Sequence, residues 1–261
     1  MNKTLLIALA GVLSVGTLNM RAQSGTPVDA PTVTANVAAV SQYMFRGQRL
    51  GGLSLQPSVE FGGMAGGGLT LGVWATKPIS NRVPNVSDPE VDFYGAYSVT
   101  MSENLTLVPG FTYYFYPNLP NLVHKSTFEP SLALNYTMSG VRLTPKVYYD
   151  TTLEGATWEI SGGNSVALAR LGITVDLNVT YGTFKLMDVA KNATPRVKNW
   201  GSYFIAGVSL PIQLSSNSKL TIGWAYHEGW QNKFKQGGLP QSTNPLQASR
   251  GVVSANYSLS F

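Results

Sequence analysis

The chain has 261 residues, of which 44% are apolar and only 12% charged, about half the ~25% charged fraction usual in soluble domains. The absence of cysteine excludes a lipoprotein anchor, a disulfide framework and a cysteine-based metal site. The net charge of +5 is not gathered into any basic run, so no nucleic-acid partner is expected.

Met1-Asn2-Lys3 is a short basic start, and the apolar stretch from Leu5 to Leu18 follows it. That stretch is shorter than the ~20 residues a membrane helix needs and reads as a secretory signal. We place the signal over residues 1–22, with cleavage after Ala22; Lys3 and Arg21 leave with it, and the mature charge falls to +3. A short periplasmic segment, 23–32, then precedes one domain over 33–261. No later run approaches 18 consecutive apolar residues, so no membrane helix is expected. A membrane protein built without helices has to be a closed barrel, because lipid offers no partner to an open backbone.

From residue 33 onward the sequence alternates with period two, the signature of strands with one apolar and one polar face. The first strand is predicted over 33–46, with Val33, Ala35, Val37, Ala39, Tyr43 and Phe45 outward and Thr34, Asn36, Gln42 and Arg46 inward. The second sets Leu53, Leu55, Pro57, Val59 and Phe61 against Ser54, Gln56, Ser58 and Glu60. Strands follow at 68–77, 90–101, 105–116, 127–138 and 141–150. The eighth, 156–169, is the weakest, since Gly162, Gly163 and Asn164 interrupt Trp158, Ile160, Val166 and Leu168. Strands at 172–184, 200–210, 219–228 and 250–261 bring the expected count to twelve. The fold class is therefore all-β, a single antiparallel transmembrane barrel.

Short links at 62–68, 102–104, 139–140, 169–171 and 213–218 alternate with long ones at 78–89, 117–126, 185–199 and 229–249. Outer-membrane barrels keep short turns on the periplasmic side and long loops outside, which would put both termini in the periplasm. Tyr43, Phe45, Tyr113 to Tyr116, Tyr148, Tyr149, Trp158, Trp200, Phe204, Trp224, Tyr226 and Trp230 fall near the long-loop ends and are expected to form an interfacial girdle.

Parity places Arg46, Glu60, Glu90, Asp92, Glu129, Arg142, Lys146, Asp150, Glu159 and Asp176 on the inside, as candidate pore-lining residues. Such charges line an aqueous path and bias its ion selectivity, or they pair with one another and lock strand register. The excess of acids predicts a weak preference for cations. Arg46, at the outer end of the first strand, is expected to pair with Glu60 or Asp92.

Tyr43-x-Phe45-Arg46-Gly47, Gln56, Glu60, Gly72-x-Trp74 and Glu90-x-Asp92-x-Tyr94-Gly95 resemble the TorF-type porin family of bacterial outer-membrane proteins. The resemblance covers the first four strands and implies a channel without naming its solute. Beyond residue 117 it rests on the barrel pattern and on the terminal Phe261, which implies contact with the outer-membrane assembly machinery.

The expected function is passive diffusion of small polar or ionic solutes through a charged lumen, in a barrel embedded in outer-membrane lipid. No catalytic, metal or cofactor site is expected. The alternatives are a closed barrel acting through its outer loops, and an outer-membrane lipid-modifying enzyme. The latter would have to use His124 or His227, neither of which lies in a recognisable nucleophile motif. The Asn-x-Thr and Asn-x-Ser triplets at 135, 178 and 256 follow from polar residues recurring on one strand face.

Overall fold

A strand whose every second side chain is apolar can leave that face in lipid only if its backbone is paired on both edges. The computed structural model describes residues 31–81, 89–190 and 195–261, and in it each long strand has two neighbours. The predicted signal peptide and its cleavage after Ala22 lie outside the described residues, as do parts of the 78–89 and 185–199 links.

The elements are β1 (Thr32–Val40), β2 (Tyr43–Phe45), β3 (Gln48–Gly51), β4 (Ser54–Gly63), β5 (Gly67–Pro78) and β6 (Glu90–Tyr97). They continue with β7 (Val99–Ser102), β8 (Leu105–Phe115), β9 (Ser126–Met138), β10 (Val141–Asp150) and β11 (Gly155–Leu168). The last are β12 (Ile173–Met187), β13 (Lys198–Gln213), β14 (Ser218–Lys235), β15 (Ser242–Thr243) and β16 (Ser249–Ser260). β6 and β7 both pair with β8 and form one stave interrupted at Ser98. With β1, β4, β5, β8 to β14 and β16 this makes a twelve-stave antiparallel barrel, in which each stave pairs with the next in sequence. It closes where β1 meets β16, from Thr34 opposite Ser260 to Val40 opposite Ser254.

The outward face follows the predicted parity. Val37, Leu55, Val59, Phe61, Leu71, Val73, Phe93, Leu132, Leu143, Ile160, Leu177, Val179, Ile222, Val253 and Tyr257 are all exposed. An exposed set of this size is a lipid-facing belt in a closed barrel.

Two expectations need correction. The first strand stops at Val40, not at residue 46: after Ser41 and Gln42 the chain turns into a separate two-stranded sheet, β2–β3, and Tyr43 and Phe45 are buried rather than lipid-facing. Tyr114, Tyr116 and Tyr148, also assigned to the girdle, are buried too, while Tyr113, Phe115, Tyr149, Trp158, Trp224 and Tyr226 do face outward. In an adjacent pair such as Tyr113-Tyr114 the pleat sends one ring each way. The eighth strand, expected to be the weakest, is present and continuous: β11 keeps register with β12 from Ala156–Lys185 to Leu168–Ile173, straight through Gly162 and Gly163.

The long-loop end of the barrel extends further than predicted. β14 runs to Lys235, so much of the 229–249 link is strand. A bulge opposite Trp200 and Ser202, with Gln231 at φ 55°, switches the inward face from Ala225, His227 and Gly229 to Asn232 and Phe234. The β8–β9 and β12–β13 loops close over a buried cluster that includes Tyr116, Leu119, Val123, Leu153, Leu186 and Val189. Asp188, just beyond β12, is buried beneath this cover, and burial pushes its carboxyl up to about 7 although the Ala190 N–H donates to it at 3.1 Å.

A carboxyl that binds its proton more tightly in the folded state favours folding most at low pH. Stability should therefore fall as pH rises from about 4 to about 7 and level off above that range; Asp188→Asn should flatten this slope in urea unfolding of the detergent-solubilised protein. Inside the wall, the Tyr203 ring lies over Gly182, its partner across β12–β13, and a Cβ at 182 would overlap that ring. Gly182→Ala should lower unfolding stability by about 1–3 kcal/mol, read as an earlier loss of the folded band's gel mobility on heating.

Candidate functional site

Residues 41–53 connect β1 to β4 at the long-loop end, and the central part of this link folds into the lumen. Arg46 (φ 44°) and Gly47 (φ 73°) are the two central residues of the β2–β3 turn, with Phe45 opposite Gln48. Positive φ at both positions is the geometry of a tight hairpin turn whose twist matches its strands. Glycine meets it freely, whereas arginine does so at a cost that neighbouring contacts must offset.

Those contacts come from all around the wall. The Arg46 guanidinium donates Nη1–H and Nη2–H to Glu129 Oε1 and Oε2 on β9, both at 2.9 Å, with both side chains buried. The same group lies 4.6 Å from the Phe45 ring centroid and 5.0 Å from that of Tyr148 on β10. Tyr114 on β8 donates its hydroxyl to Glu129 Oε2 at 2.8 Å. Tyr43 donates to Glu90 on β6 and packs against Trp74 on β5 at 6.2 Å. Gly47 abuts Gly229 on β14 so closely that a Cβ on either would overlap the other's backbone. The hairpin thus bridges the barrel from β5 and β6 through β9 and β10 to β14.

The link between β14 and β16 holds it from above. Arg49 N–H donates to Leu246 O at 2.8 Å and Ala248 N–H to Gly47 O at 3.0 Å. Asn244 Nδ2 donates to Gln48 Oε1 at 2.9 Å, with both residues buried. Leu246 packs on the Tyr43, Phe45 and Leu50 cluster and on the neighbouring Val197 and Phe234. A buried amide is stable only with its bonds made, and here two loops supply them to each other.

The other inward charges divide by height. Glu90, Asp92, Glu129 and Asp150 lie near the long-loop end with the hairpin. Asp150 Oδ1 accepts the Thr152 and Leu153 N–H groups at 2.8 and 2.7 Å and so caps the β10–β11 turn. Lys146 and Glu159 sit opposite each other across β10–β11 at mid-height. Tyr203 and Tyr148 donate to Glu159 at 2.7 and 3.4 Å, and Lys146 Nζ lies 4.4 Å from the Tyr148 ring. Glu60, Arg142 and Asp176 lie towards the end that carries the termini, where Tyr94 donates to Glu60 at 3.1 Å and Ser165 to Asp176 at 2.6 Å. The expected Arg46 pairing with Glu60 or Asp92 is therefore replaced by Glu129, because the hairpin carries Arg46 across the lumen away from its own stave.

Sequence parity missed the inner hairpin and the tyrosines that complete it, Tyr114, Tyr148 and Tyr203. Two signals pointed to them: an Arg-Gly pair flanked by alternating residues, and adjacent tyrosines of which one had to point inward. No group of three or more histidine, aspartate or glutamate side chains is placed to hold a metal ion among the described residues.

Removing one member of a buried ion pair leaves the other charge unpaired and typically costs about 3–5 kcal/mol, while replacing both with apolar side chains is often near neutral. Glu129→Ala should therefore destabilise the barrel strongly in urea, and Arg46→Met combined with Glu129→Leu should recover most of the loss.

No curated protein matches the chain. Among solved structures it is similar to the NanC porin, with a TM-score of 0.52 at 10% identity over 86% of this chain and 98% of that one. It is also similar to the KdgM porin (TM-score 0.49, 9% identity, 87% and 99% covered). An outer-membrane channel from Pseudomonas putida F1 follows at a TM-score of 0.41 and 12% identity, with 91% and 97% covered. At these identities the likeness is one of fold, that of outer-membrane porin-type barrels. A family model matches residues 23–203, more than half of the sequence and all of the staves from β1 to β12, and the chain belongs to that family, a bacterial protein family of unknown function (Gcw_chp).

Proposed function

We propose that the protein is an outer-membrane channel in which small polar or ionic solutes diffuse past the inner hairpin, with both termini on the periplasmic side. The observation that carries this reading is the wall below the hairpin. Asn36, Ser58, Asn135, Thr144, Ser161, Thr180 and Asn256 face inward yet stay partly accessible to solvent. They hydrogen-bond along the wall, as in Thr144 to Asn135 at 2.8 Å and Ser161 with Thr180 at 2.9 Å. A barrel filled by packed side chains would bury such groups; a water-filled lumen leaves them wet. The lipid-facing belt and the porin-type fold support the outer membrane as the location, and the TorF-like motifs support the same reading.

In this reading the partly accessible inward charges Glu60, Arg142, Lys146, Glu159 and Asp176 line the path, while Arg46, Glu90, Asp92, Glu129 and Asp150 are buried around the hairpin and hold it in place. The mechanism is diffusion biased by fixed charge, with no chemical step. Along this accessible wall three acids, Glu60, Glu159 and Asp176, face two bases, Arg142 and Lys146, so passage should weakly favour cations. A catalytic role for His227 finds no support around it. Its ring is buried on the inner wall between the register positions of Ile205 and Arg250, away from the lipid an outer-membrane acyl-transfer enzyme would act on.

Reconstitution in a planar bilayer tests this directly. The wild type should show small, discrete conductance steps. Replacing Tyr43–Gly51 by a short turn should enlarge them, and Glu60→Gln with Asp176→Asn should reduce cation preference. A folded barrel that stays silent with and without the hairpin would refute the channel and leave the reading of a closed barrel acting through its loops.

A further inference from the structure

Above the hairpin the mouth of the barrel holds an open cleft of ≈ 470 Å³ lined by Gln42, Arg49, Asn81 and Arg250. We propose that this cleft binds a small soluble anion bearing a carboxylate or phosphate group. The proposal goes beyond conduction and stands whether or not the lumen conducts.

The four residues come from four places: the lead-in to β2, β3, the start of the β5–β6 link and the first turn of β16. Two of them are arginines, and among the described residues no carboxylate lines the cleft with them. Two guanidinium groups facing one space repel each other unless an anion lies between them, and arginine's planar fork suits the oxygens of carboxylate and phosphate. Arg49 is held in place from behind. Its Nε donates to Gln42 Oε1 at 2.6 Å and its Nη2 to the Asn81 carbonyl at 3.5 Å, which among the described residues leaves Nη1 unspent. With its oxygen taken by Arg49, the Gln42 amide has only its NH₂ left to offer a ligand. Asn81, at φ 47°, brings a second amide to the rim. Arg250 is exposed and spends Nη1 on the neighbouring Ser249 carbonyl at 3.1 Å. The result is a rim of hydrogen-bond donors in which Arg49 is braced before any ligand arrives.

The ligand's source follows from register. Arg250 stands opposite His227 across β14–β16, and His227 lies on the inner face, so the cleft opens over the lumen and not towards lipid. A soluble solute reaches it and an annular lipid headgroup does not. The volume falls in the roughly 300–1,000 Å³ range of small-molecule sites.

Titration calorimetry on the full chain folded in neutral detergent tests the proposal, with glucose 6-phosphate as probe and glucose as its uncharged control. The proposal expects saturable binding of the phosphate and none of glucose, weakened at least tenfold by Arg49→Gln with Arg250→Gln. Since Arg49 also braces the hairpin, the exposed Arg250→Gln variant serves alone should the double variant lose the folded gel mobility; a several-fold loss is expected. Absence of saturable binding, equal binding of glucose, or unchanged affinity in Arg250→Gln would overturn the site. Binding of phosphate only when it is carried on lipid A in mixed micelles would overturn the soluble ligand.

Discussion

Closure of the backbone ladder is the constraint from which the rest of this molecule follows. Lipid satisfies no amide, so twelve staves must pair edge to edge until β1 meets β16. Once the ring closes, every stave acquires an inside, and alternate residues enter it whatever their chemistry. A soluble sheet can bury that face against a second layer; a barrel of this size has no second layer to use. The chain supplies one from itself by folding residues 43–51 inward, and so turns an empty ring into a wall around a core.

The core is built in two registers. At the long-loop end it is apolar, with Tyr43, Phe45 and Leu50 of the hairpin against Trp74 and Leu246, and a larger cluster around Tyr116, Val123 and Val189 beside it. Beneath that lie charges, each met by a partner of matching chemistry: Glu129 by Arg46 and Tyr114, Glu90 by Tyr43, Glu159 by Tyr203. The repeated use of tyrosine has a physical reason. A phenol reaches across the lumen with a rigid ring and spends one hydroxyl on a carboxylate, filling space and satisfying charge together. The left-handed φ at Arg46 fits the same logic, since a strained position persists where its surroundings over-determine it.

The barrel was legible in the sequence because period two is a local signal, and closure enforces it in every stave. Glu60, Glu90 and Asp176 could be placed inside by counting, and the strand through Gly162 and Gly163 was still countable because small residues weaken the pattern without breaking the ladder. The hairpin was not legible in the same way. Tyr43-x-Phe45 continues the alternation of β1, and nothing local distinguishes a strand that runs on from one that turns inward after Gln42. What distinguishes them is distant: Glu129, Gly229 and Leu246 lie from about 80 to 200 residues further along the chain. The TorF-like motifs gave a partial view of it, because Tyr43, Trp74 and Glu90 are the hairpin and its receptors, and Glu60, Gly72 and Tyr94 form the contact next to them.

Whether solutes move the hairpin or pass beside it is decided by the cost of moving it. Withdrawal would separate Arg46 from Glu129 and Tyr43 from Glu90, and would open the backbone bonds from Arg49 to Leu246 and from Ala248 to Gly47. Breaking a buried ion pair costs at most about 3–5 kcal/mol, and less when both charges are rehydrated. Even so, at 1.4 kcal/mol per tenfold, the ion pair at this ceiling would hold the withdrawn state to roughly one molecule in a hundred to one in a few thousand. The apolar contacts of Leu50 and Leu246 lower that fraction further. A hairpin bound this firmly is part of the wall, and it narrows the lumen as a fixed constriction. In the proposed channel, solutes pass beside its edge and on along the partly accessible wall that carries Glu60, Glu159 and Asp176.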